Sequence, residues 1–154
     1  MSGQIEARLS ELGIKLPDAP APAANYVPFV RSGDLLFVSG QISQNAEGLV
    51  TGRVGVELSI EQGQAAARDC GLSLIAQVQA ACGGDLDRVV RVVKLTAFVN
   101  AQPDFAQQPE VVNGCSDLMV EVFGDAGRHA RAAVGAGSLP RGVAVEIEGI
   151  FEIR

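Results

Sequence analysis

The chain has 154 residues, 47% hydrophobic and 19% charged, enough apolar sequence for a single core and too little charge for a disordered chain. Twelve basic residues stand against 18 acidic ones, a formal net charge of −6 with no Lys/Arg-rich run, so a nucleic-acid backbone is not an expected partner. One histidine, His129, cannot build a multi-histidine metal site. A run of about 18 apolar residues for a membrane span is absent, and the stretch from Met1 to Glu6 lacks the basic-then-apolar pattern of a signal peptide. These features predict a cytoplasmic protein with no metal, cofactor or membrane partner.

Ile5, Leu9 and Leu12 recur at helical spacing over residues 4–12, and Pro17, Pro20 and Pro22 then force an extended arm. Residues 1–20 are thus read as an N-terminal helix and arm of one domain covering 1–154. Tyr26–Val30 and Leu35–Val38 flank Arg31-Ser32-Gly33-Asp34, which supplies the turn of a hairpin. Gly48, Gly52 and Gly55 punctuate residues 43–58, predicted as a mobile surface loop of low regularity.

Ser59-Ile60-Glu61-Gln62 has capping-box form, and from it Ile60, Ala67, Gly71, Leu74, Val78 and Cys82 trace one face of a long helix closed by Gly83-Gly84. Val89–Val99 is rich in β-branched residues and reads as a strand; a second helix follows between Pro109 and Phe123, with Val111, Cys115, Leu118 and Val122 inward. Cys70, Cys82 and Cys115 are odd in number, match no redox or metal spacing, and read as small buried thiols.

Residues 143–153 alternate strictly, with Val145, Ile147, Gly149, Phe151 and Ile153 on one face and Glu146, Glu148, Ile150 and Glu152 on the other. The economical fold is α+β, with helices covering one sheet face. The other face is too apolar for full solvation and too charged for a core, which predicts self-association.

From His129 to Glu148 the chain reads as two strands joined by a tight turn, carrying Arg131 and Glu146. A guanidinium held on a strand matches a carboxylate two-to-two and stays charged at working pH. On spacing alone, a cross-hairpin surface ion pair is the favoured reading of Arg131 and Glu146. His129 shares the face of Arg131 and is either a ligand contact or a rim residue.

Residues 21–153 resemble the RidA/YjgF family of enamine/imine deaminases through Val38-Ser39-Gly40-Gln41-Ile42, Val112-Asn113, Arg131, and Leu139-Pro140 through Glu148. The resemblance implies a chorismate-mutase-like fold, a mixed sheet with two helices on one face, and a homotrimer with a site at each subunit boundary. It implies that Arg131 clamps a substrate carboxylate and Glu146 handles the hydrolytic water. It places Tyr26 over the ligand, Ser39 and Gly40 at the pocket floor and Asn113 near the same cleft, with backbone at Gly40 and Ala132 holding the rest of the ligand.

Ala133 stands where many members carry Cys, His129 where Pro is common, and residues 1–20 and 43–58 exceed the short archetype. These departures point to the longer branch labelled endoribonuclease L-PSP-like. The expected activity is hydrolysis of 2-imino acids or 2-aminoacrylate-like enamines, as in 2-iminobutanoate/2-iminopropanoate deaminase. Binding of small carboxylates or ketoacids without turnover ranks second and RNA cleavage third.

Overall fold

The alternating segment at the end of the sequence is the hub of the sheet. Strand β7 (Val145–Ile153) lies between β2 (Leu35–Ile42) and β5 (Val89–Asn100), and the order is β1-β2-β7-β5-β6, with β1 at Phe29–Ser32 and β6 at Ala130–Ala136. All neighbours are antiparallel except β5 and β6, so the sheet is mixed. The computed structural model describes residues 3–22 and 24–154. Met1 and Ser2, the start of the segment read as helix and arm, and Ala23, just past the arm, lie outside the described residues.

Helices α2 (Ile60–Ala81) and α3 (Gln108–Phe123) cover one sheet face as expected, and α1 (Gln4–Glu11) adds a third helix whose Leu9 is buried in the same core. The α2 start is the predicted capping box: Ser59 accepts from the Gln62 amide while the Gln62 side chain accepts from the Ser59 amide, an arrangement worth about 1 kcal/mol. The two long helices approach closely because small residues meet at the crossing. A Cβ on Gly71 would lie 2.8 Å from Leu118, and one on Gly114 would lie 2.8 Å from the carbonyl carbon of Gln64. Between the helices and the sheet, Leu74 of α2 and Leu95, Ile147 and Phe151 of the sheet are fully buried.

The N-terminus of α1 is capped from a distance. Asp87 accepts from the amides of Gln4 (2.9 Å) and Ile5 (3.0 Å), and Glu6 accepts from the Leu86 amide at 3.0 Å. The bonds from the Ile5 and Gln4 amides hold the Asp87 carboxyl below its ordinary value.

Two expectations need correction here. Residues 43–58 are largely exposed, as expected of a surface segment, but they are also stitched into the fold: they form a small hairpin, β3 (Gln44–Asn45) with β4 (Gly48–Leu49), and then run against the segment before β7. Ser43 is fully buried, its hydroxyl donating to the Val50 carbonyl at 2.9 Å, while the Ala144 amide bonds Val50 O and the Val54 amide bonds Asn100 O. Glycines at φ 119° (Gly48) and 118° (Gly52) make the corners; what they connect is long-range backbone bonding, which local periodicity does not register.

The second correction concerns the hairpin between Arg131 and Glu146. Strands β6 and β7 are not neighbours, because β5 runs between them and pairs with both. Among the described residues Arg131 and Glu146 form no ion pair, so the cross-hairpin salt bridge is also discarded.

Candidate functional site

Register decides where each predicted residue points. Residues paired across a sheet share a face. Arg131 pairs with Leu95, which is buried under the helices, whereas Glu146 pairs with Phe98 and Ile42 on the open face. Arg131 and Glu146 therefore sit on opposite faces of one sheet with a strand between them, and the predicted residues divide into two groups.

The arginine group lies at the edge where α3 meets β6. Arg131 Nη1 donates to Ser116 Oγ at 3.1 Å and Nη2 donates to the Pro109 carbonyl at 3.3 Å. His129 Nδ1 lies 2.6 Å from the Gly127 carbonyl and Nε2 lies 2.9 Å from Ser116 Oγ. A carbonyl only accepts, so Nδ1 carries the proton and Nε2 accepts from the serine hydroxyl. The result is a directed chain in which Arg131 donates to Ser116, Ser116 to His129 and His129 to Gly127. Burial lowers the His129 value, the Gly127 bond opposes it, and the Arg131 charge lowers it further, so the ring is held neutral. Asn113 lines the same shallow cleft with Ser116, His129 and Arg131.

The glutamate group lies across the sheet. Gly40 sits in a bulge of β2, where the register slips between Val38 and Gln41 against β7. A Cβ at Gly40 would overlap the Glu146 carboxylate, with Cδ at 3.1 Å, so glycine is what lets that carboxylate lie against the strand. Burial first, and the neighbouring Glu148 charge second, raise the Glu146 carboxyl above its ordinary value. Tyr26, Gly40, Gln41 and Glu146 line a cavity of about 400 Å³, roofed by Pro20 and Pro22 of the arm.

Ser39 donates its hydroxyl to the Val27 carbonyl at 2.8 Å and its amide to Pro28 O, which ties the Tyr26 segment to the bulge. Ala132 pairs with Thr96 and lies on the open face, opposite to the Arg131 side chain.

Three residues were missed by the sequence reading. Ser116 links Arg131 to His129; a hydroxyl at i+3 from Asn113 on the same helix was the available signal. Gln41, buried, donates to the Ser39 carbonyl at 2.8 Å and shares Gln77 of α2 with the Pro20 carbonyl, which bonds Gln77 at 2.6 Å. It stands inside the quoted Val38–Ile42 motif. Arg141 lines the Glu146 cavity with a left-handed backbone, φ 58°, and only its position beside Pro140-Gly142 hinted at a special turn.

Cys70, Cys82 and Cys115 are buried and unpaired. Burial pushes the Cys115 thiol up to about 12 and raises Cys70 as well, so both are inert at neutral pH. The one cluster of possible metal ligands among the described residues, Glu6, Asp85 and Asp87, is the α1 capping joint. Among the described residues no helix is long and apolar enough to cross a membrane.

Residues 6–145 match the family described as "YjgF/chorismate_mutase-like, putative endoribonuclease". The chain belongs to this YjgF/RutC family. It is 54% identical to Protein TCP17 of Trypanosoma cruzi, over 99% of this chain and 96% of that one. It is 30% identical to a 2-iminobutanoate/2-iminopropanoate deaminase of Dermatophagoides farinae, over 91% and 94% of the two chains. The crystal structure of the protein Atu1372 of unknown function from Agrobacterium tumefaciens superposes with a TM-score of 0.90 at 50% identity, covering 97% of this chain and 92% of that chain.

Proposed function

We propose that this protein hydrolyses 2-imino acids, and the enamines in equilibrium with them, to 2-keto acids and ammonia at sites shared between copies of the chain in a homotrimer. The observation that carries this reading is the placement of Arg131 and Glu146 on opposite sheet faces. One copy cannot bring them to one ligand, but the arginine edge of one copy laid against the open face of the next can. That open face has the composition of an interface, since Val30 is 52% exposed, Phe37 42% and Val134 43%.

Chemically, Arg131 fixes the carboxylate and so aims the C=N carbon at a water held by Glu146 of the adjoining copy. Glu146 accepts a proton as the water oxygen bonds to carbon, and the nitrogen gains protons and leaves as ammonia while C=O forms. A carboxyl raised above its usual range both takes a proton from water and returns one to nitrogen. The electrophilic imine carbon needs no covalent catalyst, so the gain is positioning. The deaminase among the relatives supports this choice of reaction. RNA cleavage is less well supported, because the single imidazole is engaged on both nitrogens and the net charge is −6.

Mixing tests the shared site. With imine generated in place by an amino-acid oxidase, Arg131→Ala and Glu146→Gln proteins should each be inactive alone. Unfolded and refolded together, they should regain activity, because mixed trimers contain a boundary with both groups intact. Sedimentation should give a trimer. A stable monomer, or no recovery on mixing two well-folded variants, overturns the shared site. Ketoacid binding through Arg131 without any wild-type rate would favour a carboxylate-binding module instead.

A further inference from the structure

Arg141 has a backbone conformation that side-chain-bearing residues rarely adopt, φ 58° and ψ 16°, and among the described residues it is the one non-glycine with positive φ. The chain around it fixes that conformation. The Gly142 amide bonds Leu139 O at 3.0 Å, the Val143 amide bonds Pro140 O at 3.3 Å, and the Gly52 amide bonds Gly142 O at 3.0 Å. Glycine would occupy the position without strain, so an arginine there calls for a reason in its side chain.

Its surroundings supply one. Arg141 lines the 400 Å³ cavity that holds Glu146, Gly40, Gln41 and Tyr26. Its guanidinium belongs to none of the five ion pairs among the described residues. The charge that acts on the Glu146 carboxyl is that of Glu148, and it raises rather than lowers it. The cavity is thus lined by one residue that bears a carboxyl and one that bears a guanidinium, and the two form no ion pair with each other.

We propose that Arg141 is a second anion clamp, selecting 2-imino and 2-keto acids that carry a distal carboxylate, the derivatives of acidic amino acids. The inference rests on the proposed function, in which Arg131 of the adjoining copy takes the first carboxylate. A second carboxylate entering a cavity with Glu146, in a chain of net charge −6, is repelled unless a fixed cation meets it. Arg141 is that cation, and its planar fork matches a carboxylate in two hydrogen bonds. A monoacid of equal length leaves the guanidinium to water.

The matched pair 2-oxoglutarate and 2-oxopentanoate, equal in chain length and different only in the terminal carboxylate, tests this by titration calorimetry on the intact protein. Wild type should prefer the diacid by about tenfold or more, the factor expected of one charged hydrogen-bonded pair. Arg141→Gln should erase that preference, and Arg141→Gly, which relieves the backbone, should erase it equally. The ratio of kcat/KM for the imines of glutamate and norvaline should fall in the same variants. Equal wild-type binding of the two acids, binding of neither, or a preference that survives both substitutions overturns the clamp. A retained binding preference with no ketoacid release from any imine would support the clamp and sink the deaminase reading instead.

Discussion

Gly40→Ala isolates the position of one carboxylate from the stability of the fold. The φ of Gly40 lies outside the left-handed region, so the backbone accepts alanine. The new methyl instead meets Glu146, at 3.1 Å from Cδ and 3.3 Å from Cγ and in overlap with Oε2, whereas ordinary contact begins at 3.4 Å. Relieving the overlap moves the carboxylate by about 1 Å, and a misplacement of that size costs about 100-fold in rate. Only the end of a flexible, half-exposed side chain has to turn, at a cost of about 1 kcal/mol. For a chain of this length that lowers Tm by about 4 °C at most. Ketoacid release and a thermal melt, measured on the same preparation, give both quantities. Gly114→Ala is the contrast: its methyl meets the backbone of Gln64, with the carbonyl carbon at 2.8 Å and Cα at 3.1 Å, so α2 and α3 must separate. That variant should lose about 1–3 kcal/mol of stability. A Gly40→Ala protein with full activity, or one destabilised as much as Gly114→Ala, would refute the reasoning.

Two pH measurements follow from the same geometry. As the sole histidine, His129 gives a single imidazole signal by NMR, which should titrate below the ordinary value, and Arg131→Ala should raise that midpoint by removing a repelling charge. Since the folded state disfavours the imidazolium, this group's contribution to stability is present above the unfolded imidazole value and is lost as pH falls through the lowered one; a midpoint above the ordinary value contradicts the hydrogen-bond chain. In the proposed reaction the Glu146 carboxylate is the base, so turnover should rise as pH climbs through its raised value. Glu148→Gln removes one of the causes and should move that acid limb to lower pH; an unmoved limb in the kcat profile would mean that Glu146 is not the titrating base.

What could be read from the sequence was whatever is recorded locally. The capping box at Ser59, the Gly83-Gly84 stop, Pro109 at the start of α3 and the alternation of β7 each lie within a few residues of the feature they specify, and each matches the structure. The split of the candidate residues was not legible in the same way. It depends on β5, more than 30 residues before Arg131, entering between β6 and β7, and a strand's pattern of alternation names its faces without naming its neighbours. The bonding of residues 43–54 to Asn100 and Ala144 is hidden for the same reason, as is the Ser116 hydroxyl that connects Arg131 to His129. Chemical types at Tyr26, Gly40, Asn113, Arg131 and Glu146 were visible; their division between two faces required the sheet order.

The position of β7 bears on how the chain is made. Among the strands it is the last to leave the ribosome, yet it occupies the middle of the sheet, hydrogen-bonded to β2 on one side and β5 on the other. Until residues 145–153 emerge, the nascent chain holds β1–β2 and β5–β6 as two unjoined ribbons, each with a bare edge where its central partner belongs. Such edges accept any extended strand, including one from a neighbouring nascent copy. The joining of the two halves is therefore deferred until residues 145–153 have emerged, and cellular systems that shield exposed strands have the whole of that interval in which to act.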